Sequence, residues 1–249
     1  MVAQMTVLVT GAASGIGNAS VRQLLSAGHE VAAVDLDAQA VRASLNTSPK
    51  EFEPVSADVS REEDCWAAAH KAISRFGKID AVLHWAAKHS TTYWSDLTAE
   101  EFNRILAVNT TGAFLIAQAA ARHMLPRKSG AIVLASSTSI IAGTTGGPTG
   151  SGGPAYVASK AAIIGLVRSL ARALGPSGIR VNGVSPGVTE TPMIARYSAE
   201  NRAIQQGRVP LGRLAQADEI ASVGTFLISD DARYINGETI IVDGGTAFG

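Results

Sequence analysis

The chain has 249 residues, with apolar types at 46% and charged types at 17%, which suits a globular protein with a sizeable core. Lys plus Arg equals Asp plus Glu at 21 each, so no basic surface for nucleic acid or an anionic membrane is expected. The single cysteine, Cys65, excludes an internal disulfide and suits a reducing compartment, and no apolar run reaches the roughly 18 residues of a membrane span.

No linker-like stretch or internal repeat divides the chain, so one domain over 1–249 is expected. No charged n-region with an apolar h-region precedes the first strand, and a cytoplasmic location follows. That strand is predicted at 5–10, M-T-V-L-V-T, and feeds directly into glycines at 11, 15 and 17. A strand, a glycine-rich turn and a helix start form a phosphate cradle. The backbone can approach the ligand, and the free N–H groups of Ser14, Gly15, Ile16 and Gly17 with the helix dipole favour a pyrophosphate. The spacing is G-x-x-x-G-x-G rather than the commoner G-x-G-x-x-G.

A helix is predicted over 15–27, stopped by Gly28, then a strand over 31–35 ending at Asp35. Asp35 lies about 20 residues beyond the glycine turn, where a carboxylate accepts hydrogen bonds from adenosine ribose hydroxyls. Asp37 caps the next helix, 37–46. A strand over 53–57, a helix over 61–76 that packs Cys65, and a strand over 79–85 follow. His84 reads as a buried, hydrogen-bonded strand residue. Thr98 and Glu101 form a capping box at the head of a helix over 98–124, which Pro126 ends.

Further strands are expected at 130–136, 179–184 and 238–242, with helices at 154–174 and 215–229. Such alternation gives a parallel sheet covered on both faces, here a single-domain, doubly wound α/β sheet of about seven strands. Two stretches read as irregular. Residues 138–155 hold five glycines between 146 and 153 and are expected to form a flexible loop beside the substrate; 188–212 read as a partly helical lid. The histidines show no metal-ligand spacing, so no metal site is expected, and the N-x-S/T matches at Asn18, Asn46 and Asn109 read as chance.

The pair Tyr156 and Lys160 carries the chemistry. Residues four apart on a helix share a face. A phenol with a pKa near 10 is a poor base at neutral pH, and a neighbouring ammonium favours the phenolate and makes it a proton-transfer group.

With these elements the chain resembles the short-chain dehydrogenase/reductase family over essentially its whole length. The motifs stand in family order: T-G-A-A-S-G-I-G at 10–17, D-V at 58–59, V-N at 108–109, S-S at 136–137, Y-V-A-S-K at 156–160, I-R-V-N at 179–182, P-G at 186–187 and V-D-G-G at 242–245. The resemblance implies a Rossmann-type fold and hydride transfer between NAD and a small-molecule secondary alcohol or ketone, within a homo-oligomer, most often a tetramer, with the 154–174 helix at an interface. It implies Tyr156 as general acid/base and Ser137 as the serine on the substrate oxygen, with Ser136 and Ser139 as competitors. Lys160 would bond the nicotinamide ribose. Asn109 would bind a water linking Lys160 to solvent, or satisfy backbone at a helix kink.

The cofactor wall implied is Gly11, Ser14, Gly15, Ile16, Gly17, Asp35, Leu36, the Asp58–Val59 pair at the adenine, and Ala86. Pro186, Gly187, Val188 and Thr191 would hold the carboxamide. No lysine or arginine stands at Ser14 or Leu36, where phosphate-binding relatives carry one, so NAD fits better than NADP. His84 and Trp85 replace the Asn-Asn that relatives carry before Ala86 and Ala87. Two alternatives remain: a 3-oxoacyl-[acyl-carrier-protein] reductase, and an NAD-binding regulator without turnover. Tyr93, Trp94 and His89 could line a pocket for a hydroxylated or cyclic substrate.

Overall fold

The computed structural model describes residues 4–45, 50–147, 150–195 and 197–247. In chain order these form β1 (Thr6–Thr10), α1 (Gly15–Ser26), β2 (Glu30–Asp35), α2 (Ala38–Leu45), β3 (Phe52–Ser56), α3 (Glu62–Phe76) and β4 (Ala81–His84). Then come α4 (Ala99–Leu106), α5 (Gly112–Met124), β5 (Gly130–Ala135), α6 (Ser139–Ala142), α7 (Pro154–Leu174) and β6 (Ile179–Pro186). The last are β7 (Thr189–Glu190), α8 (Ala199–Gly207), β8 (Ala215–Gln216), α9 (Ala217–Ile228) and β9 (Thr239–Val242).

Seven strands form one parallel sheet in the order β3-β2-β1-β4-β5-β6-β9. Successive side chains of each strand face opposite ways, so the strands feed two cores. Leu8, Val82, Ile132 and Leu134 pack with Ala68 of α3, Ile116 of α5 and Ile163 of α7. Val7, Val9, Leu83 and Val133 pack on the other face with Val21 and Leu24 of α1 and Ile220 and Leu227 of α9. The doubly wound fold read from the alternating pattern is therefore present. Strand order reverses between β1 and β4, which opens a crevice at the carboxyl ends of the strands.

Three local departures matter. The helix expected over 98–124 is interrupted by a π-helical turn at Ala107–Thr111, which contains Asn109. The capping box at Thr98 is only half made. The Thr98 hydroxyl accepts from the Glu101 amide at 3.1 Å, but the Glu101 carboxylate accepts from Ser90 and Thr92 hydroxyls at 2.7 and 2.8 Å. Glu101 thus anchors the segment after β4. Finally, β7 and β8 pair as a small separate sheet that closes the base of the 191–214 excursion, an element the pattern did not announce.

Asn18 and Asn109 are buried, which removes both from any glycosylation role, while Asn46 lies outside the described residues. Cys65 is buried, as packing requires. Among the described residues no helix is long and apolar enough to cross a membrane, and no group of three or more His, Cys, Asp or Glu could hold a metal ion.

The tightest contact in the sheet's first turn is backbone on backbone. A Cβ placed on Gly17 would stand 2.1 Å from the Gly11 carbonyl oxygen, so α1 meets the end of β1 without room for any side chain. Gly17→Ala is expected to cost roughly 1–3 kcal/mol, the range for overpacking, read from the shift of the urea midpoint at unchanged slope. A wild-type midpoint would show that α1 moves freely away from β1.

Candidate active site

The crevice is a cavity of about 980 Å³. One end is the glycine turn. Gly11 and Gly15 adopt φ of 69° and 53°, in the left-handed region that glycine takes without strain. Ser14 caps α1 without using its side chain, so the helix N-terminus faces the cavity with backbone donors. Gly11, Ser14, Gly15, Ile16 and Gly17 all line it.

Asp35, at the end of β2, is oriented by two backbone amides. Its carboxylate accepts from Ala13 N–H at 2.9 Å and from Leu36 N–H at 2.8 Å, and both Asp35 and Leu36 line the cavity. Asp37 accepts from the Gln39 amide at 2.7 Å, the expected cap. Asp58 accepts from the amide and hydroxyl of Ser60, and Asp58, Val59 and Ala86 form part of the same wall.

His84 does not reach this wall. Its Nδ1 shares a hydrogen bond of 2.9 Å with the Thr10 hydroxyl, which also accepts from the Ala86 amide. Burial, then Lys160, pushes His84 down to about 3, so the ring is neutral. This fits the buried, hydrogen-bonded residue expected.

The opposite end of the cavity joins β5 to α7. Of the three candidate serines, Ser136 gives its hydroxyl to the Lys160 carbonyl at 2.9 Å and is used in tying strand to helix. Ser139 has a buried hydroxyl without a partner. Ser137 is the one hydrogen-bonded to Tyr156. Tyr156 and Lys160 are both buried and line the cavity.

Their electrostatics differ from the expectation. Burial pushes the Tyr156 phenol up to about 12, with Ser137 acting in the opposite direction and Tyr197 reinforcing burial. Lys160 is pushed down to about 8 by burial. Its ammonium donates to the Ala135 carbonyl at 2.9 Å and sits 5.8 Å from the Tyr156 ring centroid. The shared helix face is as read, but desolvation sets the direction of the phenol's shift, and it is Ser137 that opposes it.

Asn109 is buried in the π-helical turn. Its side chain accepts from Lys88 N–H at 2.7 Å and donates to the Lys88 carbonyl and the Ser159 hydroxyl, so both amide hydrogens are engaged. Through these bonds it holds the Lys88 backbone to the π-turn and α7. Pro186, Gly187, Val188 and Thr191 line the cavity beyond β6, and a Cβ on Gly15 would meet the Thr191 methyl at 3.1 Å.

The glycine-rich stretch does pass beside the site: Thr144, Ser151 and Gly152 line the cavity. Among its described residues Gly147 N–H bonds the Thr91 carbonyl at 2.6 Å, Gly153 N–H the Ser90 carbonyl at 2.8 Å, and the Thr144 hydroxyl the Gly152 carbonyl at 2.8 Å. Glycine serves close approach there. A Cβ on Gly152 would stand 2.5 Å from the Tyr156 ring, and one on Gly153 2.3 Å from the Thr92 carbonyl. Pro148 and Thr149 lie outside the described residues. Of the three aromatics expected near substrate, only His89 lines this cavity; Tyr93 lies against Gly147, and Trp94 lines a separate groove. Tyr197, Gln205 and Arg208 of the lid also line the cavity, and no motif in the sequence marked them.

Comparison with known proteins gives the class. The family described as Enoyl-(Acyl carrier protein) reductase matches residues 11–247. A short-chain type dehydrogenase/reductase of Sinorhizobium fredii is 40% identical over 245 residues, 96% of this chain, which spans 43% of that relative's length. The cis-4-hydroxycyclohexanecarboxylate dehydrogenase of Sinomonas cyclohexanicum is 37% identical over 246 residues, 98% of this chain and 96% of the relative. A solved short-chain dehydrogenase/reductase of Brucella melitensis, described as a glucose/ribitol dehydrogenase, superposes with a TM-score of 0.90 at 30% identity, covering 98% and 97% of the two chains. The chain belongs to the short-chain dehydrogenase/reductase family. It is an oxidoreductase of that family.

The contact between Gly152 and the Tyr156 ring yields a test. Gly152→Ala is expected to displace the phenol and reduce turnover at least tenfold, about 1.4 kcal/mol of barrier, while the unfolding midpoint moves little. Full turnover in this variant would show that the ring does not depend on the loop.

Proposed function

We propose that the protein transfers a hydride reversibly between NAD and a secondary alcohol or ketone. The observation that carries this reading is the joining, across one cavity, of a dinucleotide-type glycine turn with a buried Ser137–Tyr156–Lys160 group. The two ends fit a nicotinamide dinucleotide. Backbone donors and left-handed glycines suit the pyrophosphate, and Asp35 suits ribose hydroxyls. When bound, the nicotinamide supplies the hydride acceptor.

The protein's own groups handle the oxygen and the proton. Ser137 holds the carbinol oxygen through its hydroxyl, and Tyr156 takes the hydroxyl proton during oxidation and returns it during reduction. The Lys160 ammonium lowers the energy of the phenolate that results, and two of its three N–H donors remain beyond the Ala135 bond for ribose hydroxyls. Asn109 acts as a positioning residue through Lys88 and Ser159.

NAD is favoured over NADP because a 2′-phosphate would meet the Asp35 carboxylate, with no lysine or arginine at Ser14 or Leu36 to offset it. The retention of both Tyr156 and Lys160 supports turnover over a purely nucleotide-sensing role. Ser177 just before the G-I-R-V-N segment, where a basic residue would suit an acyl carrier protein, weighs against a carrier-protein substrate. A relative acting on a hydroxylated cyclohexane ring supports a small cyclic substrate. The family resemblance supports a tetramer with α7 at an interface.

Tyr156→Phe is expected to lower kcat by about 100- to 10,000-fold while the dissociation constant for NADH, read by nicotinamide fluorescence, stays near wild type. Because the phenolate is the proton acceptor, oxidation in the wild type should accelerate as pH rises and the variant's residual rate should lose that dependence. Near wild-type turnover sinks the role given to Tyr156.

Asp35→Ala is expected to narrow the preference for NAD over NADP. Two like charges 4 Å apart cost roughly 4 kcal/mol at an effective dielectric of about 20, so the wild-type preference should be strong. Comparable kcat/KM values for the two cofactors in the wild-type protein would refute this.

A further inference from the structure

His89 and Tyr197 line the cavity beside Tyr156, yet the chemistry above uses neither. The His89 imidazole meets the Tyr156 ring edge-on, with centroids 4.8 Å apart and planes at 75°. Tyr197 lies close enough that its ionisation would push Tyr156 further up. The Tyr197 ring is seated against Gly150, where a Cβ would stand 3.1 Å away, so the glycine-rich stretch and the lid meet at this phenol.

Both side chains are half-buried and line the open cavity. Their neighbours are satisfied: Ser90 and Thr92 donate to Glu101, Thr144 to Gly152, and Asn109 to Lys88. Polar ends that converge on a cavity beside the reacting group are placed to orient a ligand there. Burial, then Lys160, lowers the His89 pKa, so the ring presents one donor and one acceptor rather than a cation. The phenol of Tyr197 can do both. This pair suits a neutral oxygen better than a carboxylate.

We propose that His89 and Tyr197 bind a second oxygen of the substrate, a hydroxyl or carbonyl on the carbon adjacent or next but one to the reacting carbon. The substrate class is then a dioxygenated secondary alcohol or its ketone, such as a diol or hydroxyketone. The second oxygen is held and not transformed. This rests on the oxidoreductase reading above and deepens it.

The experiment compares cyclohexanol with the cis and trans isomers of 1,2- and 1,3-cyclohexanediol, and cyclohexanone with 2-hydroxycyclohexanone. Each is assayed with the wild type, His89→Phe, Tyr197→Phe and the double variant, which keep the ring shapes and remove the polar atoms. In the wild type, kcat/KM for the favoured dioxygenated compound should exceed that of its partner by about tenfold or more, since a site built to bond a hydroxyl discriminates against its absence. In the double variant this ratio should fall below about threefold, with the loss mainly in KM.

Equal constants within every wild-type pair overturn the proposal. So does a double variant that keeps the ratio, or one that loses both members of a pair by the same factor, which marks a merely structural role. NADH fluorescence is recorded for every variant. Failure to bind NADH counts against the cofactor reading and not against this one. If NADH binds without turnover, calorimetric titration of the NADH complex decides. Diol binding at least about tenfold tighter than cyclohexanol in the wild type alone supports the subsite, and equal binding overturns it.

Discussion

The burial of the Lys160 ammonium is the constraint on which the rest of the site depends. A charge taken out of water is costly unless it is bonded, and here the Ala135 carbonyl at the end of β5 accepts it. That bond works only if α7 is docked against β5. The Ser136 hydroxyl secures the docking by returning a hydrogen bond to the Lys160 carbonyl. The neighbours then take their electrostatic character from this cation. His84 and His89 are both held neutral, by burial first and by Lys160 second. A second positive charge beside the ammonium would be repelled, so histidine can occupy these positions only as a hydrogen-bonding group.

Much of this was legible in the residues. The seven strands follow from β-branched runs, and the two-sided burial follows from their lack of alternation with polar residues. The glycine turn was legible because backbone contact leaves no freedom of choice: with 2.1 Å between a Gly17 Cβ position and the Gly11 oxygen, only glycine fits. The cavity wall from Asp35 to Thr191 was legible through motifs. Less legible was the sign of the Tyr156 shift. Helical spacing tells that a phenol and an ammonium share a face, but not that the ammonium is turned to Ala135 or that desolvation dominates. At 146–153 composition did not show that Gly152 and Gly153 have neighbours standing too close for a Cβ.

Residues whose partners lie far along the chain were the hardest to read. Glu101 sits at N3 of a helix, and local rules send its carboxylate back to the cap. The fold instead brings Ser90 and Thr92 within 2.8 Å, and two hydroxyl donors outweigh one amide. Asn109 shows the same logic. The π-turn places it against Lys88 and Ser159, 21 and 50 residues away in sequence, so its side chain is spent on joining three segments. Both residues support the short stretch that carries His89.

The lid completes the picture from the opposite side. Its base is fixed by the β7–β8 pair, and Arg202 of α8 bonds both oxygens of Glu190 in β7, at 2.8 and 2.6 Å. Both bonds come from one guanidinium nitrogen, Nη1, while Nη2 donates to the Ile194 carbonyl, so Arg202 ties α8 to β7 and to the turn between them. The lid's root also touches the cofactor end, because the Thr191 methyl stands against Gly15. Its first turn touches the substrate end, because Tyr197 stands against Gly150 and near Tyr156. One segment therefore contacts both halves of the cavity. The segment that follows β6 thus forms part of the wall at the glycine turn through Thr191 and at the catalytic end through Tyr197.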